Sequence, residues 1–164
     1  MKPTPIQPQE GQESVWDYPR PPRLEQTDKR IQIVFNGVVI ADTTRAYRVL
    51  ETSHPPGYYI PPEDINSKYF QRDSGSSLCE WKGQATYYTV VVDNKRAVRT
   101  AWAYHNPTQP FAKLRDYVSL YAGPMDACYV DGEQVTPQPG CFYGGWITDD
   151  VVGPFKGEPG SWFW

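Results

Sequence analysis

The sequence predicts an all-β domain with minor helical turns: compact antiparallel sheets, an extended N-terminal arm and a Gly/Pro/Trp-rich C-terminal tail. Three observations point there. First, 17 prolines, 12 tyrosines and 6 tryptophans among 164 residues suit strands, rigid turns and large amphipathic rings rather than a helical bundle. Second, IQIVFNGVVIAD (residues 31–42) joins two β-rich runs through Asn36-Gly37, a pair that tolerates the positive φ of a type I′ hairpin turn. Third, SLCEWKGQATYYTVVVDNKRAVRTAWAYH (residues 77–105) reads as a strand, a bulge or kink at Gly83, a long strand, a turn at Asp93-Asn94 and a return strand, the expected central sheet.

The remaining elements follow in order. Residues 1–12 carry almost no apolar side chains to offset their ordering entropy and predict a flexible tail. Trp16–Glu25 predicts an extended arm anchored by two aromatics, with Arg20 and Arg23 facing outward or reaching into a site. TTRAYRVLETS (residues 43–53) fits both a helical and an alternating period, with a short strand preferred. Pro55, Pro56, Pro61 and Pro62 argue against ladder pairing, so the next segment predicts a rigid loop ending in about one helical turn at PPED. A short helix is expected over Phe111–Arg115, then two closing strands in YVSLYA and ACYVDGEQV. The length suits one core, with the domain spanning 13–135 and residues 136–164 wrapping it.

Charged residues make up 21% of the chain and the net charge is −3, which leaves no broad basic face for DNA or RNA. No apolar run reaches membrane-spanning length and the N-terminus lacks a signal-peptide core, so a soluble, cytoplasmic protein is expected, with no membrane partner. Cys79, Cys128 and Cys141 form no CxxC pair, and reduced thiols are the expectation. His54 and His105 lack zinc-ligand spacing, so neither a metal nor another cofactor is expected.

ESVWDYPRPPRLE, FNGVVIADTTRAYRVLETSHPPGYYIPPEDI, LCEWKGQATYYTV and RTAWAYHNP, occurring in this order, closely resemble the domain-of-unknown-function family DUF427, sometimes labelled putative nucleotidyltransferases. The resemblance covers roughly Glu13 to Gly132 and implies a small all-β architecture similar to the β-tent folds, without a known reaction. The segment from Thr136 onward is similar to an extension of cyanobacterial members. The nucleotidyltransferase label lacks its residues here: the adjacent acids Glu63-Asp64 and Asp149-Asp150 follow no Gly-Ser turn, and no phosphate-binding glycine loop is present. The paired CxxC knuckles of many β-tent proteins are also missing.

RVLETSHPPGYYIPPED (residues 48–64) concentrates the candidate chemistry. Glu51 can orient His54 for proton transfer while tyrosines such as Tyr58 donate to developing negative charge; an ordinary hydrogen-bonded turn accounts for the same spacing. Arg45 can clamp a carboxylate or phosphate, or form a surface ion pair. In CEWKG, Lys82 can activate the Cys79 thiol only if the chain bends at Trp81 to Gly83, since residues three apart on a strand face opposite sides; a packed, unreactive cysteine is the alternative. Trp102 and Tyr104 share a strand face suited to stacking a flat ligand or to an aromatic core, with His105 on the opposite face. The expected function is a pocket for a small anionic or planar molecule, with acid/base chemistry if it is an enzyme. Two alternatives stand beside it: an interaction module using the proline-rich arm and Trp-rich tail, which can also stitch a homo-oligomer, and a thiol-based redox protein using Cys79.

Overall fold

The computed structural model describes residues 2–79, 81–140 and 142–164. Cys141, one of the three expected thiols, lies outside them. In chain order the strands are β1 (Glu13–Ser14), β2 (Arg23–Gln26), β3 (Ile31–Phe35), β4 (Val38–Thr43), β5 (Tyr47–Leu50), β6 (Gly57–Tyr59), β7 (Phe70–Cys79), β8 (Gly83–Val92), β9 (Lys95–Ala103), β10 (Val118–Leu120), β11 (Ala127–Val130), β12 (Glu133–Gln134), β13 (Thr136–Pro137), β14 (Trp146–Ile147) and β15 (Val151–Val152). Short 3-10 turns at Val15–Asp17, Pro62–Asp64, Ser67–Tyr69 and Gln109–Leu114 are the only helical elements among the described residues. The fold is all-β.

Two four-stranded antiparallel sheets, in the orders β12-β11-β3-β4 and β10-β9-β8-β7, enclose the main core. The first is seeded by the expected hairpin. Asn36 (φ 48°) and Gly37 (φ 77°) form its turn, and strict alternation buries Ile31, Ile33 and Phe35 on one face. Against them pack Val90, Val92, Ala101 and Leu120 from the second sheet.

A third sheet, β2-β5-β6, is where the sequence reading needs correcting. The four prolines argued against strand pairing, yet Gly57–Tyr59 lies between them and pairs with Tyr47–Val49. Three proline-free residues suffice for a short strand. Reciprocal backbone hydrogen bonds of 2.8 Å between Ile60 and Val118 then join this sheet to β10. The alternation within β6 sends Tyr58 into the main core and Tyr59 to the opposite side, into a second, aromatic cluster with Val49, Ala85, Tyr104, Phe111 and Leu114.

The C-terminal segment is woven into the domain. β1 pairs in parallel with β15, β13 pairs with β14, and the fully buried Trp146 stacks on Tyr58 at 5.2 Å and 30°. At the N-terminus the Ile6 N–H donates to Gly153 O (2.9 Å) and Gln12 Nε2 donates to Asp149 O (2.8 Å).

Candidate functional site

A cleft of about 400 Å³ opens over the aromatic cluster. Three pieces of chain build it. The end of β5 and the turn after it bring Glu51 and His54, the β7–β8 turn brings Cys79, Trp81 and Lys82, and the C-terminal segment brings Gln138, Tyr143 and Lys156.

The β7–β8 turn is shaped by Gly83, whose φ of +107° disfavours any side chain and whose backbone sits against Asn106–Thr108. Thr108 fixes the turn by donating its N–H to Lys82 O (3.0 Å) and its hydroxyl to Trp81 O (2.5 Å). Cys79 pairs with Gly83 across the hairpin, so the chain reverses within the segment that the sequence reading required to bend, and Cys79 and Lys82 meet. Lys82 is only 9% exposed. Its ammonium lies 5.8 Å from the Tyr104 ring centroid and 5.9 Å from that of Phe111, and among the described residues it joins no ion pair. Burial pulls its pKa down, but Tyr59, Cys79 and Glu51 together outweigh that and hold it above the ordinary lysine value. It stays a cation.

His54 is oriented by Gln138 rather than by Glu51. The buried Gln138 accepts from the Gly145 N–H (3.0 Å) through Oε1, and its Nε2 donates to Lys156 O (2.8 Å), which leaves the second amide hydrogen for His54 Nδ1 at 3.0 Å. The ring hydrogen of a neutral His54 is therefore on Nε2, facing Glu51 Oε2 at 3.6 Å, beyond hydrogen-bond reach. Glu51 is itself paired with Arg20 Nε at 3.3 Å, so the arm does reach the site. Burial, reinforced by Lys156, Arg20 and Lys82, pushes the His54 pKa down to about 3. Below the ordinary value of 6.5 the unfolded chain takes up a proton that the folded chain refuses until about 3, so folding weakens as pH falls through that window. In an NMR titration the His54 ring resonances are expected to stay fixed from pH 6.5 down toward 3; a midpoint near 6.5 would mean that the His54 ring is not buried in solution.

Four of the expected pocket residues, Arg45, Tyr58, Trp102 and Tyr104, do not line the cleft. Arg45 is exposed and holds Asp64 in a two-pronged pair (3.0 and 3.3 Å), away from the cleft, because its strand neighbourhood faces the Pro62–Asp64 turn. Tyr58 is in the core, and Tyr59 takes the place expected of it at the cleft. Trp102 and Tyr104 do share the aromatic face: the Trp102 Nε1–H donates to Tyr59 Oη (3.1 Å), behind the cleft wall. Gln138, Tyr143 and Lys156 carried no signal in the sequence spacing. The Gly144-Gly145 pair lets this segment approach closely, since a Cβ at Gly144 would collide with the Trp102 ring and one at Gly145 with Pro55 and Gln138.

A family model described as a domain of unknown function, DUF427, matches residues 23–131. The chain belongs to this family. Among curated proteins none matches it. The matched region of the DUF427 domain supplies Glu51, His54, Cys79 and Lys82, whereas Gln138, Tyr143 and Lys156 lie beyond it, so segment 136–164 completes the cleft. One acid of each adjacent pair is otherwise engaged: Asp64 by Arg45 and the Thr43 hydroxyl (2.6 Å), Asp150 by Lys29 (2.6 Å) and Thr148. Cys128 is buried, and burial pushes its thiol up to about 12. Among the described residues no helix is long and apolar enough to cross a membrane.

Proposed function

We propose that this DUF427 protein binds a small molecule with an anionic group and a planar body in the Lys82 cleft. The buried Lys82 ammonium carries the reading. Neighbouring acidic groups keep it charged without a direct ion pair among the described residues, so a ligand carboxylate or phosphate would take up that direct contact. The His54 Nε2–H and Lys156 stand on the same cleft, and Trp81 and Tyr143 offer flat faces for a ring. If a reaction follows binding, His54 is the acid or base nearest the ligand and Glu51 the adjacent carboxylate; its depressed pKa suits it to donating a hydrogen bond from Nε2.

Native mass spectrometry tests this with benzoate, phenyl phosphate and the neutral benzamide as probes. Wild type is expected to retain the two anions over benzamide, and Lys82→Met to weaken anion retention by at least about 30-fold, the cost of truncating one partner of a desolvated charge pair. Equal retention by a folded Lys82→Met variant would remove the reading. The interaction-module alternative would then lead, because Phe142, Trp162 and Phe163 of the C-terminal segment are exposed by 77% or more.

A further inference from the structure

The sheet face opposite the aromatic cluster carries a second constellation. Ala85 and Tyr87 on β8 face the cluster, so Gln84, Thr86 and Tyr88 alternate to the other side. There Tyr88 Oη lies 2.6 Å from His105 Nε2, and His105 Nδ1 lies 2.6 Å from Asp116 Oδ1. An ionised carboxylate only accepts, so Nδ1 bears the ring hydrogen and the Nε2 lone pair of the neutral ring receives the phenol proton. Asp116 is held at φ 66°, a left-handed backbone conformation. The Tyr104–Arg115 bridge and the Asp116 N–H donating to Tyr104 O (3.1 Å) set that geometry next to His105. A polar groove of about 480 Å³, lined by Arg72, Asp73, Ser76, Gln84, Thr86 and His105, meets the three residues at His105. Arg72 is the cross-strand partner of Tyr88.

We propose that Tyr88, His105 and Asp116 form a second reactive site, independent of the Lys82 cleft, at which the Tyr88 oxygen accepts an acyl group from a small polar ester. Nucleophile, base and orienting carboxylate stand in the order that nucleophilic catalysis requires. Tyr88 Oη attacks the ester carbonyl as its proton passes to His105 Nε2, and Asp116 stabilises the imidazolium through Nδ1. Collapse of the tetrahedral adduct breaks the bond to the alcohol oxygen, which takes the proton from Nε2 and leaves as the free alcohol. Water, activated by His105 in the same way, then hydrolyses the tyrosyl ester to the acid and restores the phenol. Arg72 faces the negative charge that develops at the carbonyl oxygen. Burial pushes the Tyr88 phenol up, opposed by the Arg72 charge, so at neutral pH the oxygen keeps its proton and needs the base. Tyr88 and His105 are the catalytic residues here; Asp116 is a positioning residue.

The test treats the full chain with p-nitrophenyl acetate and follows acetylation of each tyrosine by peptide mass spectrometry. Tyr129, also half-buried, is the internal standard. Tyr88 is expected to acetylate about 100-fold faster than Tyr129, the share that a positioned base supplies. His105→Gln should abolish that excess and added imidazole should restore part of it, which a purely structural histidine would not allow. Asp116→Asn, which keeps a residue tolerant of positive φ, should cut the Tyr88 rate while leaving the Tyr129 rate and the thermal midpoint unchanged. Acetylation of Tyr88 no faster than Tyr129 in wild type, together with p-nitrophenolate release no faster than that of Tyr88→Phe, overturns the proposal; so does a Tyr88 excess that survives His105→Gln.

Discussion

Replacing Trp146 with alanine is expected to lower the unfolding free energy by about 3–5 kcal/mol, the range for truncating a large aromatic in a packed core. Its side chain is fully buried, stacks on Tyr58 and donates its Nε1–H to Leu120 O at 3.1 Å. Alanine would remove the ring, leave a cavity against Tyr58 and strand the Leu120 carbonyl. Trp146→Phe separates these effects: it keeps most of the apolar contact and loses the hydrogen bond, for about 1–3 kcal/mol. Urea unfolding midpoints check both. Trp146 lies outside the family match, so a loss below about 1 kcal/mol for the alanine variant would show that the C-terminal segment does not share the main core.

Arg48→Ala is expected to cost about 1–3 kcal/mol, because it removes a buried guanidinium and its hydrogen bonds to two carboxylates that remain partly exposed. The Arg48 side chain is 8% exposed and holds Glu13 through both terminal nitrogens (3.0 and 3.2 Å) and Glu25 through Nε (3.0 Å) and Nη2. It thereby ties β1 and β2 to β5. Burial raises the Glu13 pKa, but the Arg48 and Tyr18 hydrogen bonds outweigh that and leave it below the ordinary value of 4.5. A carboxylate with a depressed folded-state pKa contributes stability that is present above its unfolded value and lost as pH falls through the folded one. Wild type should therefore lose stability below about pH 4.5 more steeply than Arg48→Ala. Urea midpoints at neutral and acidic pH measure both effects. Parallel pH curves would mean that Arg48 does not set the Glu13 protonation equilibrium.

Local chemistry was legible wherever one segment's own residues decide the outcome. Asn36-Gly37 announced its hairpin because few residue pairs accept two positive φ values. β5, the long strands β8 and β9 and the Pro62–Asp64 turn were likewise legible, whereas only the end of β7, from Ser77, was read as strand. β6 was missed because the prolines around it obscured three residues free to pair, and that omission hid the alternation which decides between Tyr58 and Tyr59. Arg45 looked like a ligand clamp because its partner Asp64, nineteen residues away, cannot be inferred from a helical or strand spacing.

By itself, then, the sequence determined that the chain is an all-β DUF427 member and that Glu51, His54, Cys79 and Lys82 lie within the family match. Only the tertiary structure decided that these four share a cleft, that Gln138 from the last thirty residues sets the His54 tautomer, and that Tyr88 and Asp116 meet at His105. Hairpins and turns are fixed by interactions between residues a few positions apart, whose spacing the sequence displays. The Gln138–His54 bond spans 84 positions and the Tyr88–His105 bond 17. Such contacts exist only after the sheets have packed, when the burial that strips water from Lys82 and His54 also gives their charge and proton states the values seen in the fold.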